Sequence, residues 1–130
     1  MADCPVCKRI ESGDGLSFVS DLVVAFADAF PVTPGHTLVL PRRHESDFFS
    51  LSTAEQDAVW QGVTAVRDLL ISERQPDGFN VGLNAGRAAG QTMEHVHIHV
   101  IPRFTGDVED PRGGIRWLIP AKARYWGDQK

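Results

Sequence analysis

From His95 to Ile101 the chain reads His-Val-His-Ile-His-Val-Ile, a strict alternation of imidazole and hydrocarbon. Successive side chains on an extended backbone point to opposite faces. His95, His97 and His99 therefore share one side, while Val96, Ile98 and Val100 fill the other. The hydrocarbon side needs a core beneath it, and the imidazole side looks outward across a cleft. The stretch predicts a strand over 95–101, stopped by Pro102. Alternate strand residues lie ~6.6 Å apart and the outer pair ~13 Å. Zinc–nitrogen bonds are ~2.0–2.1 Å, so one ion reaches two neighbouring rings but not three. The three histidines thus have different jobs. Solvated rings on an edge strand are the plain alternative, but an imidazole row is a poor choice for an inert surface.

The remaining pattern supplies the scaffold. Residues 16–20 and 22–28 are short, apolar and β-branched, and predict a hairpin. Pro31 to Gly35 is a rigid connector, since two prolines exclude a central strand. Residues 36–40 predict a third strand stopped by Pro41. Ser52-Thr-Ala-Glu55 is a capping-box sequence, and apolar residues at helical spacing after it predict one long helix over 53–74. Trp60, Gly62 and Ala65 on that helix suit either a second copy of the chain or the core. Residues 79–83 predict a fourth strand, residues 84–90 a glycine-bearing loop, and 104–130 an irregular tail. Three strands, a helix and two strands, without helical crossovers, favour an antiparallel five-stranded sheet of the α+β class.

At 130 residues the chain makes one domain, with a core over about 4–103 and a tail over 104–130. The net charge of −4 argues against binding a nucleic-acid polymer through bulk charge. No apolar run approaches the ~18 residues of a membrane span. Met1 to Cys7 does not resemble a secretion leader, so a cytoplasmic location is expected. The only two cysteines form Cys4-Pro-Val-Cys7. In a reducing compartment such a pair is a redox couple, half of a zinc site or two inert thiols.

Imidazole can attack phosphorus and split one displacement into two easier steps. Such a nucleophile needs its second nitrogen bonded to an acceptor that fixes the tautomer. Donors must also stabilise the phosphoryl oxygens, and a proton must reach the leaving group. A histidine row beside a glycine-bearing loop of amide donors can fill these roles.

Gly90-Gln-Thr92 followed by His95-Val-His-Ile-His-Val-Ile-Pro-Arg103 resembles the signature of the histidine triad (HIT) superfamily. Ala89-Gly-Gln-Thr92 before the triad resembles its Fhit-like branch, the dinucleoside polyphosphate hydrolases. Pro31-Val-Thr-Pro-Gly-His36 is similar to the family segment before the third strand, and the resemblance runs from Cys4 to about Arg103. It implies the HIT fold, a nucleotide substrate and a homodimer joined at sheet edges, with no organic cofactor.

The resemblance also implies roles. His97 matches the nucleophile at the α-phosphorus of a nucleotide, oriented by the backbone carbonyl of His95. His99 matches a phosphate contact, Gln91 the polar residue near the leaving group, and Asn84 a phosphate-side contact. His36 lies near the active site, and Asp28 falls where a ribose-hydroxyl binder is expected. Phe18 and Phe26 suit the walls of a base pocket or the core equally. Cys4, Cys7, His44 and His95 resemble the structural zinc set of some bacterial HIT proteins and of galactose-1-phosphate uridylyltransferases. The implied activity is a HIT-type nucleotide hydrolase or nucleotidyl transferase, diadenosine polyphosphate hydrolase-like or phosphoramidase-like. A zinc-stabilised nucleotide-binding or adaptor protein with little turnover is the alternative.

Overall fold

A computed structural model describes residues 3–127 of the chain. It opens with a short helix, α1 (Pro5–Ser12), that the sequence reading did not anticipate. Its signals are local. The Cys4 sulfur accepts the Cys7 amide, Pro5 sits in the first turn, and Gly13 at φ 77° ends the helix by donating to the Arg9 carbonyl.

The hairpin follows as β1 (Leu16–Val19) and β2 (Val23–Ala27), then β3 (Thr37–Pro41). The long helix, α2 (Thr53–Arg74), begins at the expected capping box, with Ser52 and Glu55 bonding each other's backbone amides. β4 (Gly78–Gly82) and β5 (Ile98–Arg103) complete a sheet of order β1-β2-β3-β5-β4, every pair antiparallel. The α+β class and the five-stranded antiparallel sheet are therefore as expected. Among the described residues the tail holds two short 3-10 turns, Gly114–Leu118 and Pro120–Lys122.

The boundaries of β5 differ from the expectation. The strand begins at Ile98, so His99 alone of the three histidines lies within it. Before it, Val96 donates to the Glu45 carbonyl and the His95 ring donates to the Pro41 carbonyl. A side chain thus takes the acceptor that a longer ladder would use. At the other end Pro102 lies inside the strand rather than stopping it. The β3 ladder has already ended at the Thr37–Val100 pair, so Pro102 sits where β5 has only one neighbour, a position that tolerates proline.

Two apolar clusters flank the sheet. Val59, Val63, Val66 and Leu70 of α2 pack on Val23, Ala25, Val39, Val96, Ile98 and Val100, so the hydrocarbon side of the alternation meets the helix as expected. Gly62 belongs to this interface: a methyl added there would lie 3.0 Å from both Val23 and Val39. The small face of α2 therefore meets its own sheet, while Trp60 stays exposed. On the opposite face Val24, Phe26, Leu38 and Leu40 are covered by α1 through Val6. No helix among the described residues is long and apolar enough to cross a membrane.

Candidate active site

The pairing register lays one row across the α1 face of the sheet: Leu16 opposite Phe26, Phe26 opposite Leu38, Leu38 opposite His99, and His99 opposite Gly82. An apolar floor thus runs from β1 to β3, gives way to an imidazole on β5, and ends at a residue without a side chain on β4.

The histidines are distinguished by what each second nitrogen touches. The His97 Nδ1 lies 3.0 Å from the His95 carbonyl. A carbonyl only accepts, so Nδ1 carries the hydrogen and the Nε2 lone pair is left for chemistry. The Val32 amide donates to His36 Nδ1 at 3.0 Å, which places the hydrogen of the neutral ring on Nε2. That nitrogen lies 2.9 Å from His99 Nδ1 and 3.4 Å from a carboxylate oxygen of Asp28. His99 Nδ1 must then accept, and its Nε2–H is the free donor. Burial is the first cause holding both rings below the ordinary histidine pKa; for His99 the neighbouring His97 and His36 add to it, while Asp28 opposes the shift on both.

Asp28, His36 and His99 place ligand atoms within 4.8 Å of one another. The Val32 amide keeps the His36 Nε2 occupied by hydrogen, so this trio forms a hydrogen-bonded chain rather than a cation cage. Asp28 also accepts the Phe30 amide at 2.8 Å, which ties its carboxylate to the connector before His36.

The Gln91 amide is spent on its own loop. Its oxygen accepts from Gly86, and its nitrogen donates to the Ser46 and Met93 carbonyls at 2.7 and 3.0 Å. Contact with a ligand requires exchanging one of these bonds. Asn84 lines a cleft with His99, on the β4 side of the row. Phe26 lies on the site face, buried, with the Arg9 guanidinium 4.2 Å from its ring centre.

Phe18 is not brought to the site, which corrects its expected place as a base-pocket wall. It packs beside the α2 core. A bulge between Leu16 and Phe18 inserts one residue into β1, which reverses the facing of everything beyond it. Alternation alone put Leu16 and Phe18 on one face; the bulge separates them.

Cys4, Cys7, His44 and His95 place their ligand atoms within 4.8 Å of one another, so the group could hold a metal ion. Cys7 Sγ lies 3.4 Å from His44 Nδ1 and 3.5 Å from His95 Nδ1, and Cys4 Sγ lies 3.8 Å from His95 Nδ1. A tetrahedron built on Zn–S and Zn–N bonds of ~2.3 and ~2.05 Å has a sulfur–nitrogen edge of roughly 3.6 Å, so the donors fit. His95 donates from Nε2 to the Pro41 carbonyl at 2.7 Å, which leaves the Nδ1 lone pair facing the sulfurs. Burial is the first cause raising the Cys7 thiol pKa and the Cys4 thiol the second, a pairing that a cation relieves.

Sequence reasoning missed three contributors: the Val32 amide, the Pro41 carbonyl and Arg9. The first two are backbone groups with no side-chain signature. Arg9 was findable only through α1, whose cap and proline signals were present in the sequence.

The family model described as the HIT domain matches residues 11–106. An uncharacterized HIT-like protein of Saccharolobus solfataricus is 38% identical over 109 residues, covering 80% of this chain and 76% of that protein. The AP-4-A phosphorylase of Mycobacterium tuberculosis is 38% identical over 87 residues, 66% of this chain and 45% of its own length. The asymmetrical bis(5'-nucleosyl)-tetraphosphatase of Schizosaccharomyces pombe is 30% identical over 134 residues, covering 95% and 74%. Among solved structures, a HIT family protein from Bacillus anthracis superposes with a TM-score of 0.75 at 36% identity, covering 81% of this chain and 76% of that one.

Proposed function

The chain belongs to the HIT domain family, and on that premise we propose that it is a nucleotide hydrolase or nucleotidyl transferase. It acts at the α-phosphate of a dinucleoside polyphosphate or an adenylylated compound. The carrying observation is the His97 ring, whose Nδ1 lies 3.0 Å from the His95 carbonyl and whose Nε2 is thereby left as a nucleophile.

In the first step the Nε2 lone pair forms a bond to phosphorus while the bond to the leaving group breaks. The leaving group departs with its electron pair and takes a proton. In the second step water attacks the same phosphorus, the N–P bond returns its pair to Nε2, and a nucleoside monophosphate is released with a proton. His99 Nε2–H donates to a phosphoryl oxygen, and Asn84 and Gln91 add polar contacts on the phosphate and leaving-group side. Asp28 accepts from the ribose hydroxyls, with His36 beside it, and Phe26 floors the base region. Gln91, where the phosphorylase branch commonly carries Ser, supports water as the acceptor and the Fhit-like branch as the nearer kin.

Cys4, Cys7, His44 and His95 hold a structural zinc ion; when bound, it joins α1 to the segments after β3 and before β5. Four protein ligands leave it no open position, so it takes no part in the displacement. Residues 1–130 act as a single domain in the cytoplasm. The unpaired edge of β4 joins a second copy, giving a homodimer. A binding protein with little turnover is the second reading, and the observation favouring it is the full engagement of the Gln91 amide.

The test is to mix the protein with an α-phosphate-labelled dinucleoside tetraphosphate and with an adenosine phosphoramidate, quench within a turnover, and locate the label. The expected result is a covalent nucleotidyl adduct on His97, lost in His97→Ala together with turnover, while nucleotide affinity stays within a few-fold. A label on another side chain, or undiminished turnover by the variant, overturns the reading.

A further inference from the structure

Helix α1 lays the Arg9 side chain on the site face. Its guanidinium carbon lies 4.2 Å from the centre of the Phe26 ring. Its Nε donates to the Asp14 carbonyl at 3.1 Å, which fixes the plane of the group. Gly15 keeps the place open, since a methyl added there would lie 2.7 Å from Nη2. A ring below, a carbonyl at the edge and a bare backbone beside it thus hold the guanidinium in one position. Among the described residues no group accepts from Nη1 or Nη2. Phe26 is only 5% exposed, so its ring is covered, and a base over this floor meets the guanidinium.

The place matters because of Asp28. Phe26 and Asp28 are alternate residues, and alternate residues of an extended chain share a face. The Asp28 amide donates to the His36 carbonyl at 3.0 Å, so backbone pairing continues past β2 to that residue. Same-face neighbours lie ~6.6 Å apart, a span that a ribose and its base can bridge. A nucleoside with its ribose at Asp28 therefore reaches Phe26 and the guanidinium on it.

We propose that Arg9 is a specificity-determining residue that makes this site select guanine over adenine. The inference rests on the nucleotidyl-transfer reading above and adds the base to it. A guanidinium carries donors only. Guanine presents two adjacent acceptors, O6 and N7, and an arginine fork donates to both. Hypoxanthine presents the same pair. Adenine has an amino donor in place of O6, so one N–H faces another and a bond is lost. Stacking on Phe26 and the bond to Asp14 hold the fork before the base arrives, so little ordering remains to be done on binding.

The experiment measures kcat/KM of the full chain for the 5'-phosphoramidates of guanosine, inosine and adenosine, which share one leaving group. Affinities for GMP, IMP and AMP are measured alongside. The guanosine and inosine compounds are expected to exceed the adenosine compound by about tenfold, within the range of one bidentate pair. In Arg9→Met that ratio falls to near one. In Arg9→Lys, which keeps the charge but not the fork, it falls as well. If Arg9 only seats α1, both variants slow all three substrates alike and keep the ratio, which overturns the proposal. A wild-type ratio near one, a preference for adenosine, or inosine behaving like adenosine also overturns it. Absence of turnover with every substrate overturns the nucleotidyl-transfer reading instead. Base selection is then decided by the affinities: GMP and IMP about tenfold tighter than AMP sustain it, and equal affinities overturn it.

Discussion

Each imidazole in the site is defined by a hydrogen bond on its far side, and three of those acceptors or donors are backbone groups: the His95 and Pro41 carbonyls and the Val32 amide. His36 and His99 are held neutral by burial, whereas the same rings in an unfolded chain titrate near ~6.5. Below that pH the unfolded state binds the protons first, so the stabilising contribution is full above about 6.5 and declines as the pH falls. Urea denaturation between pH 7.5 and 5 is expected to show stability falling with acidity, with a shallower slope in His36→Asn. An unchanged slope in that variant contradicts a His36 held neutral by burial. At this scale the Cys4, Cys7, His44, His95 group and the distinct parts of His97 and His99 were legible only through the family resemblance, since the Cys4-Pro-Val-Cys7 spacing alone left a redox pair, a zinc site and inert thiols open. The sequence was least legible for Phe18, because no side-chain pattern announces a bulge, and for the backbone partners, which have no side chain to read.

Helix α2 and its seat on the sheet show the same division between elements. Its start was readable to the residue, since Ser52 and Glu55 form the reciprocal cap. Glu55 also accepts two bonds from Arg43, at 2.9 and 3.0 Å, and Arg43 is the first cause holding its carboxyl down at about 2. That contribution is present above the ordinary carboxylate pKa of ~4.3 and is lost as the pH falls toward 2. Acid titration of Glu55→Gln is expected to remove this component, with the wild type losing stability over that window and the variant losing less. Gly62→Ala sets two effects against each other. Alanine raises helix propensity by ~1 kcal/mol, but overpacking a filled core costs ~1–3 kcal/mol. With Val23 and Val39 both 3.0 Å from the added methyl, packing wins and the melting temperature falls. A rise indicates that the two valines rotate away at no cost. The start of β5 resisted sequence reading because its alternation continues through residues 95–97, and only the competing bonds to Glu45 and Pro41 end the ladder.

For the molecule as a whole, the cysteine–histidine group draws together residues separated by up to 91 positions. An ion held there at 100 times its dissociation constant stabilises the fold by about 2.7 kcal/mol. Treatment with a strong chelator is expected to lower the melting temperature by roughly 10 °C. Elemental analysis of the untreated protein is expected to give one zinc per chain, and Cys4→Ser/Cys7→Ser to behave like the stripped sample. An unaltered melting curve removes the ion from the account. The five antiparallel strands and the single long helix were foreseeable from period and punctuation, whereas α1 and the lateral strand order were not. The tail was foreseeable only as irregular, since its 3-10 turns carry no periodic signal.

His95 contributes to two places by two different parts of itself. Its ring nitrogen faces the thiols, while its main-chain oxygen holds the neighbouring nucleophile. Every amino acid has that oxygen; only a few have such a ring. A descendant of this chain can therefore trade away the thiols and the ring together and still keep its reactive imidazole aligned, so the two inheritances are free to part company over time.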